Sequence, residues 1–149
     1  MSLDDIVVAL SRIQRGGGHY RFPYTVAQHS VMVSEIVPTL AALLHDAAEA
    51  YIGDVLTPIK AACPELCAIE NRIQAAIAAH FGIDTFARPE IKHADLVALA
   101  TERRDLVGPA AMSWGDLPDP AAEPIHTWHS EWYIKERFLS RFHELQRAT

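Results

Sequence analysis

Within the twelve residues LLHDAAEAYIGD, Leu43 to Asp54, the chain sets His45 beside Asp46 in an otherwise apolar run and follows them with Glu49 and Asp54. Read as helix, the stretch puts His45 and Asp46 about 100° apart with Glu49 one turn further on, so all three can border one cavity. Two carboxylates buried there would cost several kcal/mol unless they were paired or bound to a cation. The segment alone also suits a helix edge whose acids sit in water.

Two residues elsewhere favour a cation. His29 in AQHSV and Asp95 in KHADLVALATERRDL each lie in apolar surroundings. Taken singly, His29 suits a hydrogen-bonded core histidine and Asp95 a surface or capping acid. Together with His45 and Asp46 they offer two imidazoles and two carboxylates from three helices. That nitrogen and oxygen set suits Mn, Fe, Co, Ni or Mg rather than a thiolate site, and four protein ligands leave positions open for water and substrate on an octahedral ion.

The elements that must carry these residues read as helices throughout. Ser2 and Asp5 form a capping-box pattern ahead of Leu3, Ile6, Val7, Leu10 and Ile13, which predicts a helix over 3–15 stopped by Gly16, Gly17 and Gly18. Thr25 and Gln28 repeat the pattern before Val26, Val31, Val33 and Ile36, with Pro38 as the stop. The 40–51 segment predicts a third helix closing at Gly53. A short helical turn follows over 56–61, then a long helix from Pro64 to 81 ended by Gly82, and another opened by Pro89 and broken at Gly108–Pro109. Four prolines make 108–127 a long loop, functional or mobile, before a last helix over 128–147 with Ile134, Phe138, Phe142 and Leu145 as its buried stripe. No segment alternates like a strand. The expectation is all-α, one domain over 1–149, with about six helices.

Composition narrows the classes. At 149 residues and 50% hydrophobic, the chain can bury roughly 70% of its unfolded surface around one core. A net charge of −6 argues against binding a nucleic-acid polymer, which needs clustered Lys and Arg. Charged residues interrupt every apolar run before about 18 residues, and the N-terminus lacks a signal pattern, so no membrane span and a cytoplasmic location are expected. Cys63 and Cys67 lack the four ligands of a structural zinc site and read as ordinary thiols.

AQHSV, then LLHDAAEAYIGDVLTPIK, then KHADLVALATERRDL resembles the HD-domain metal-dependent phosphohydrolases, in particular the small bacterial 5'-deoxynucleotidases and the phage deoxyadenosine triphosphate hydrolases. The likeness covers about Leu10 to Leu106. It implies a single helical HD domain and one divalent ion (Mn, Co, Mg, Ni, Fe or Zn) on His29, His45, Asp46 and Asp95, with Glu49 and Asp54 as catalytic acids. The implied substrate is a small deoxynucleotide, mono- or triphosphate, and related enzymes form homo-oligomers. Arg15 stands where the family keeps an arginine, although Gly16 replaces the aromatic that often follows it.

Phosphate needs cations. Arg15, at the end of the first predicted helix and before the glycines, offers a guanidinium beside free backbone N–H groups, or a cation favouring the helix dipole. His19 and Lys60 are further phosphate candidates that equally suit a solvated surface. Two other readings stand beside the hydrolase. A di-iron oxygenase would recruit further histidines such as His80 or His93, and a non-catalytic HD module would only bind a nucleotide. His126, Trp128, His129 and Trp132 could wall the pocket, form a subunit contact or fill the core.

Overall fold

A computed structural model describes residues 1–107, 114–127 and 129–148. These are mostly helical and contain no strand, the one sheet-like contact among them being an isolated bridge between Gln14 and Thr25. The all-α expectation holds. The described residues form eight α-helices: α1 Leu3–Leu10, α2 Val26–Ile36, α3 Leu40–Leu43, α4 Glu49–Ile52, α5 Thr57–Ala62, α6 Pro64–Phe81, α7 Pro89–Glu102 and α8 Glu131–Arg147. None is long and apolar enough to cross a membrane.

The count exceeds six because the helix expected over 40–51 is split into α3 and α4, and because the short helical turn expected over 56–61 is α5. A second correction concerns α1. Ser2 caps it by accepting from the Asp5 N–H at 3.2 Å, but it ends at Leu10 rather than at 15. Beyond it, Val26 N donates to Ile13 O at 3.0 Å and Arg15 N to Tyr24 O at 2.8 Å, a ladder that pulls residues 13–15 out of helical geometry. Arg15 therefore opens a separate tight turn, Arg15–Gly18.

Other boundaries follow local chemistry. The Thr25–Gln28 capping box forms as the pattern requires, with Gln28 N on Thr25 Oγ1 at 3.4 Å and Thr25 N on Gln28 Oε1 at 3.0 Å. Ile36, the last apolar residue of that pattern, is exposed. α7 loosens after Glu102 into a wide turn, Arg103–Val107, while the break expected at Gly108–Pro109 and the first part of the 108–127 loop lie outside the described residues. Ser130 caps α8 by accepting from Tyr133 N at 3.2 Å, so that helix starts three residues later than expected.

Two apolar clusters meet on α2. Ile6, Val7, Leu10, Val26, Leu43 and Phe138 belong to the larger, and Val33, Ala42, Ile91, Ala94 and Ala98 to the smaller. Phe138, Phe142, Ile134 and Leu145 are the buried face of α8. Phe138 has no exposed surface, and truncating it to alanine would cost about 3–5 kcal/mol. α2 packs against α3, α7 and α8, and this brings its His29 near Asp95 of α7 and the turn after α3 that bears His45 and Asp46. α6 is different: Ile77 is the one buried residue among its 18.

Candidate metal centre and anion pocket

His45 and Asp46 do not lie within a regular helix. Thr39 caps α3 by accepting from Ala42 N at 3.1 Å, and one turn later the backbone ladder opens. Gln74 of α6 fills the gap. Its Nε2 donates to His45 O at 2.6 Å and to Leu44 O at 3.2 Å, and its Oε1 accepts from Ala48 N at 3.2 Å. Around it the backbone tightens to three-residue bonds, Ala47 N to Leu44 O and Glu49 N to Asp46 O. One side-chain amide therefore supplies hydrogen bonds that a continuous helix would supply from its own backbone.

The four ligand candidates converge. His29 Nε2 lies 3.3 Å from His45 Nε2, 3.4 Å from Asp95 Oδ1 and 3.5 Å from Asp46 Oδ2, and His45 Nε2 lies 3.2 Å from the same Asp46 oxygen. The ligand atoms of His29, His45 and Asp95 all fall within 4.8 Å of one another, a group that could hold a metal ion. The donor set fits one. His45 Nδ1 donates to Ala42 O at 2.8 Å and His29 Nδ1 to Glu102 Oε1 at 2.6 Å, so each ring, when neutral, turns its Nε2 lone pair toward the other and toward two carboxylates. Two lone pairs and two anions at that range call for positive charge between them, a proton or a metal ion.

Electrostatics tells the same story. Burial and Arg15 push the His29 pKa down, yet Glu102 and Asp95 outweigh them and lift it to about 9. Burial works against ionised Asp46, but His45, Arg15 and His29 hold its carboxyl far below the usual range. Asp95 is likewise held low against its burial, by His29 and by Lys92 at 2.8 Å. Glu49 goes the other way. Burial, Asp46 and Asp54 raise it to about 9, and its Oε2 is buried with no hydrogen-bond partner among the described residues.

Arg15 closes the opposite side. Its Nη1 lies 3.4 Å from Asp46 Oδ2 and 3.8 Å from Asp54 Oδ1, and its Nη2 lies 3.7 Å from Glu102 Oε2. Its Nε is buried without a partner among the described residues. Asp54 Oδ2 accepts from Gly16 N at 2.7 Å, which folds the Arg15–Gly18 turn over the centre. Gly16 has a φ of 62°, and a Cβ there would lie 2.7 Å from Tyr20 Cε1, so only glycine lets that ring approach. Arg15, His19, Asp46, Glu49, Asp54, Lys60 and Asp95 all line one cavity of about 830 Å³, with Trp114 and Leu117 of the long loop on its wall. Small-molecule sites occupy about 300–1,000 Å³.

The phosphate candidates differ in readiness. Lys60 pairs with Glu70 at 2.6 Å and stands 3.7 Å from Glu49, whereas His19 is exposed on the rim. His80 and His93 are exposed and take no part in the ligand group found among the described residues. His126 and His129 line a separate cavity with Tyr24 and Tyr133, and Trp132 is exposed rather than core; Trp128 lies outside the described residues. Glu102, Gln74 and Tyr20 had no assigned role. Glu102 had a usable signal, because it follows Asp95 by seven residues and so shares its helix face.

No family model matches the sequence. The chain is similar to the uncharacterized protein YfdR of Escherichia coli, 39% identical over 145 residues that cover 91% of this chain and 82% of that one. It is also similar to an uncharacterized protein of Rhodobacter capsulatus, 32% identical over 125 residues that cover 72% of this chain and 64% of the other.

Proposed function

The chain belongs to the same family as YfdR, and from its own site we propose that it is an HD-type, metal-dependent phosphohydrolase acting on small deoxynucleotides. The observation that carries the reading is the pairing of opposites in one cavity: converging imidazoles and carboxylates of His29, His45, Asp46 and Asp95, with the Arg15 guanidinium beside them. A divalent ion bound there would lower the pKa of a water, neutralise phosphate oxygens and offset the burial and the repulsion from Asp46 and Asp54 that keep Glu49 protonated.

The chain's own groups account for the remaining work. Glu49, with one oxygen unpartnered among the described residues, takes the proton from the water that attacks phosphorus. Arg15 offers a forked donor to the phosphate, and Lys60 and His19 add charge at the mouth. Asp54 spends Oδ2 on Gly16 N and keeps Oδ1 for the leaving or sugar oxygen. The bond from that phosphorus to the sugar 5'-oxygen breaks, the departing oxygen takes up the proton held by Glu49, and the products are the deoxynucleoside and phosphate from a monophosphate, or triphosphate from a triphosphate.

The test is a screen of deoxy- and ribonucleoside mono- and triphosphates with Mn, Co and Mg, reading phosphate against triphosphate. Release from one or more deoxynucleotides is expected. A metal-loaded chain that hydrolyses none of them overturns the reading.

A further inference from the structure

Glu102 is the carboxylate of the site that the reaction above leaves idle. It has no exposed surface, and a buried acid could be no more than a satisfied core group. Its partners argue otherwise. Oε1 accepts from His29 Nδ1 at 2.6 Å, Oε2 accepts from the Tyr20 hydroxyl at 2.6 Å, and Arg15 Nη2 lies 3.7 Å from Oε2. Arg15 and Tyr20 line the cavity, and His29 belongs to its metal-ligand group.

Imidazole chemistry gives this contact a consequence. A neutral histidine carries one proton on either nitrogen. With that proton on Nδ1 and bonded to Glu102, Nε2 presents a lone pair to the cluster. Without Glu102, the proton can move to Nε2, where Asp95 Oδ1 at 3.4 Å and Asp46 Oδ2 at 3.5 Å would attract it. There it would occupy the direction a cation needs. The same anion faces Arg15 Nη2 while Asp54 faces Nη1, and so helps fix where the guanidinium stands.

We infer that Glu102 is a positioning residue that fixes His29 as the Nδ1–H tautomer and anchors Arg15, so that one buried carboxylate sets the cation end and the anion end of the site together. This rests on the reading of His29 as a metal ligand.

Glu102→Gln keeps the size and removes the charge. Binding of Co²⁺, measured by competition with a chromophoric chelator, should weaken about 10–100-fold, the usual effect of losing a carboxylate behind a ligating histidine. Binding of inorganic phosphate should weaken several-fold in the same protein. A variant with a lower Tm but both affinities unchanged makes Glu102 structural and overturns the inference; loss of Co²⁺ affinity with phosphate binding intact overturns its shared role. Should the variant fail to fold, ¹⁵N-histidine NMR of the zinc-loaded wild type decides. His29 should carry its proton on Nδ1, and a proton on Nε2 ends the proposal. A wild-type chain that takes up no divalent ion removes this inference and the proposed function together, whereas equal uptake by wild type and variant removes this one alone.

Discussion

α2 meets two different environments, and the two are built on opposite principles. In one, His29 enters a site where charges are buried and shared, with Asp46 close to two histidines and an arginine. In the other, Val31, Met32 and Tyr24 line a smaller cavity of about 380 Å³ whose charged pair, Glu35 and Arg137, meets at 2.7 Å with both side chains half exposed. Exposed pairs of that kind contribute about 0–1 kcal/mol. Burying several charges is tolerable only where each meets an opposite one, and Glu49 shows what happens where the sum falls short: it stays protonated. The first cavity thus gathers buried acids around two histidines and an arginine, and the second carries an ion pair left in water.

The sharpest way to break this contrast is to remove a ligand. Asp46→Asn should abolish uptake of divalent ion in a chelator competition and lower deoxynucleotide hydrolysis by about three orders of magnitude, because the water loses its activating charge. Glu49→Gln should lower the rate about 10²–10⁴-fold while leaving metal affinity within a few-fold, a split visible by running both assays on one preparation. Gln74→Leu should cost about 1–3 kcal/mol in urea unfolding, since it strips partners from buried backbone groups, and should weaken metal binding without touching any ligand. In the other environment, Arg137→Ala should change stability by less than about 1 kcal/mol and leave hydrolysis unchanged.

The metal-free chain should also show the contrast through pH. Glu49, raised to about 9 from 4.5, and His29, raised to about 9 from 6.5, both bind protons more tightly folded than unfolded. Their contribution is complete below the unfolded values and is lost as pH rises toward 9. Asp46, Asp95 and Glu102 are held low, so their contribution is present above the ordinary carboxylate range and disappears in acid. Urea midpoints measured with a chelator should therefore fall between about pH 6.5 and 9, and the fall should flatten in Glu49→Gln.

Much of this was legible in the sequence, for a physical reason. Apolar period and capping patterns are local, so α2, α6, α7 and the stripe of α8 follow directly from residue spacing. The ligand candidates were legible because a histidine or an acid in a greasy helix demands a partner. What the sequence hid was the company they keep. Glu102 meets His29 across 73 positions and Gln74 meets His45 across 29, distances over which spacing carries no information. The break at His45–Asp46 was hidden for the same reason, since an Ala- and Leu-rich run promises an unbroken helix until an amide from elsewhere enters it.

That amide makes the ligand turn dependent on a helix with little hold on the core. Were α6 to open locally, the Ala48 N–H and the carbonyls of Leu44 and His45 would all lose the Gln74 amide in one event. The exchange rate of a bound ion would then follow the opening of α6 rather than global unfolding, and hydrogen exchange at Ala48 would report its frequency.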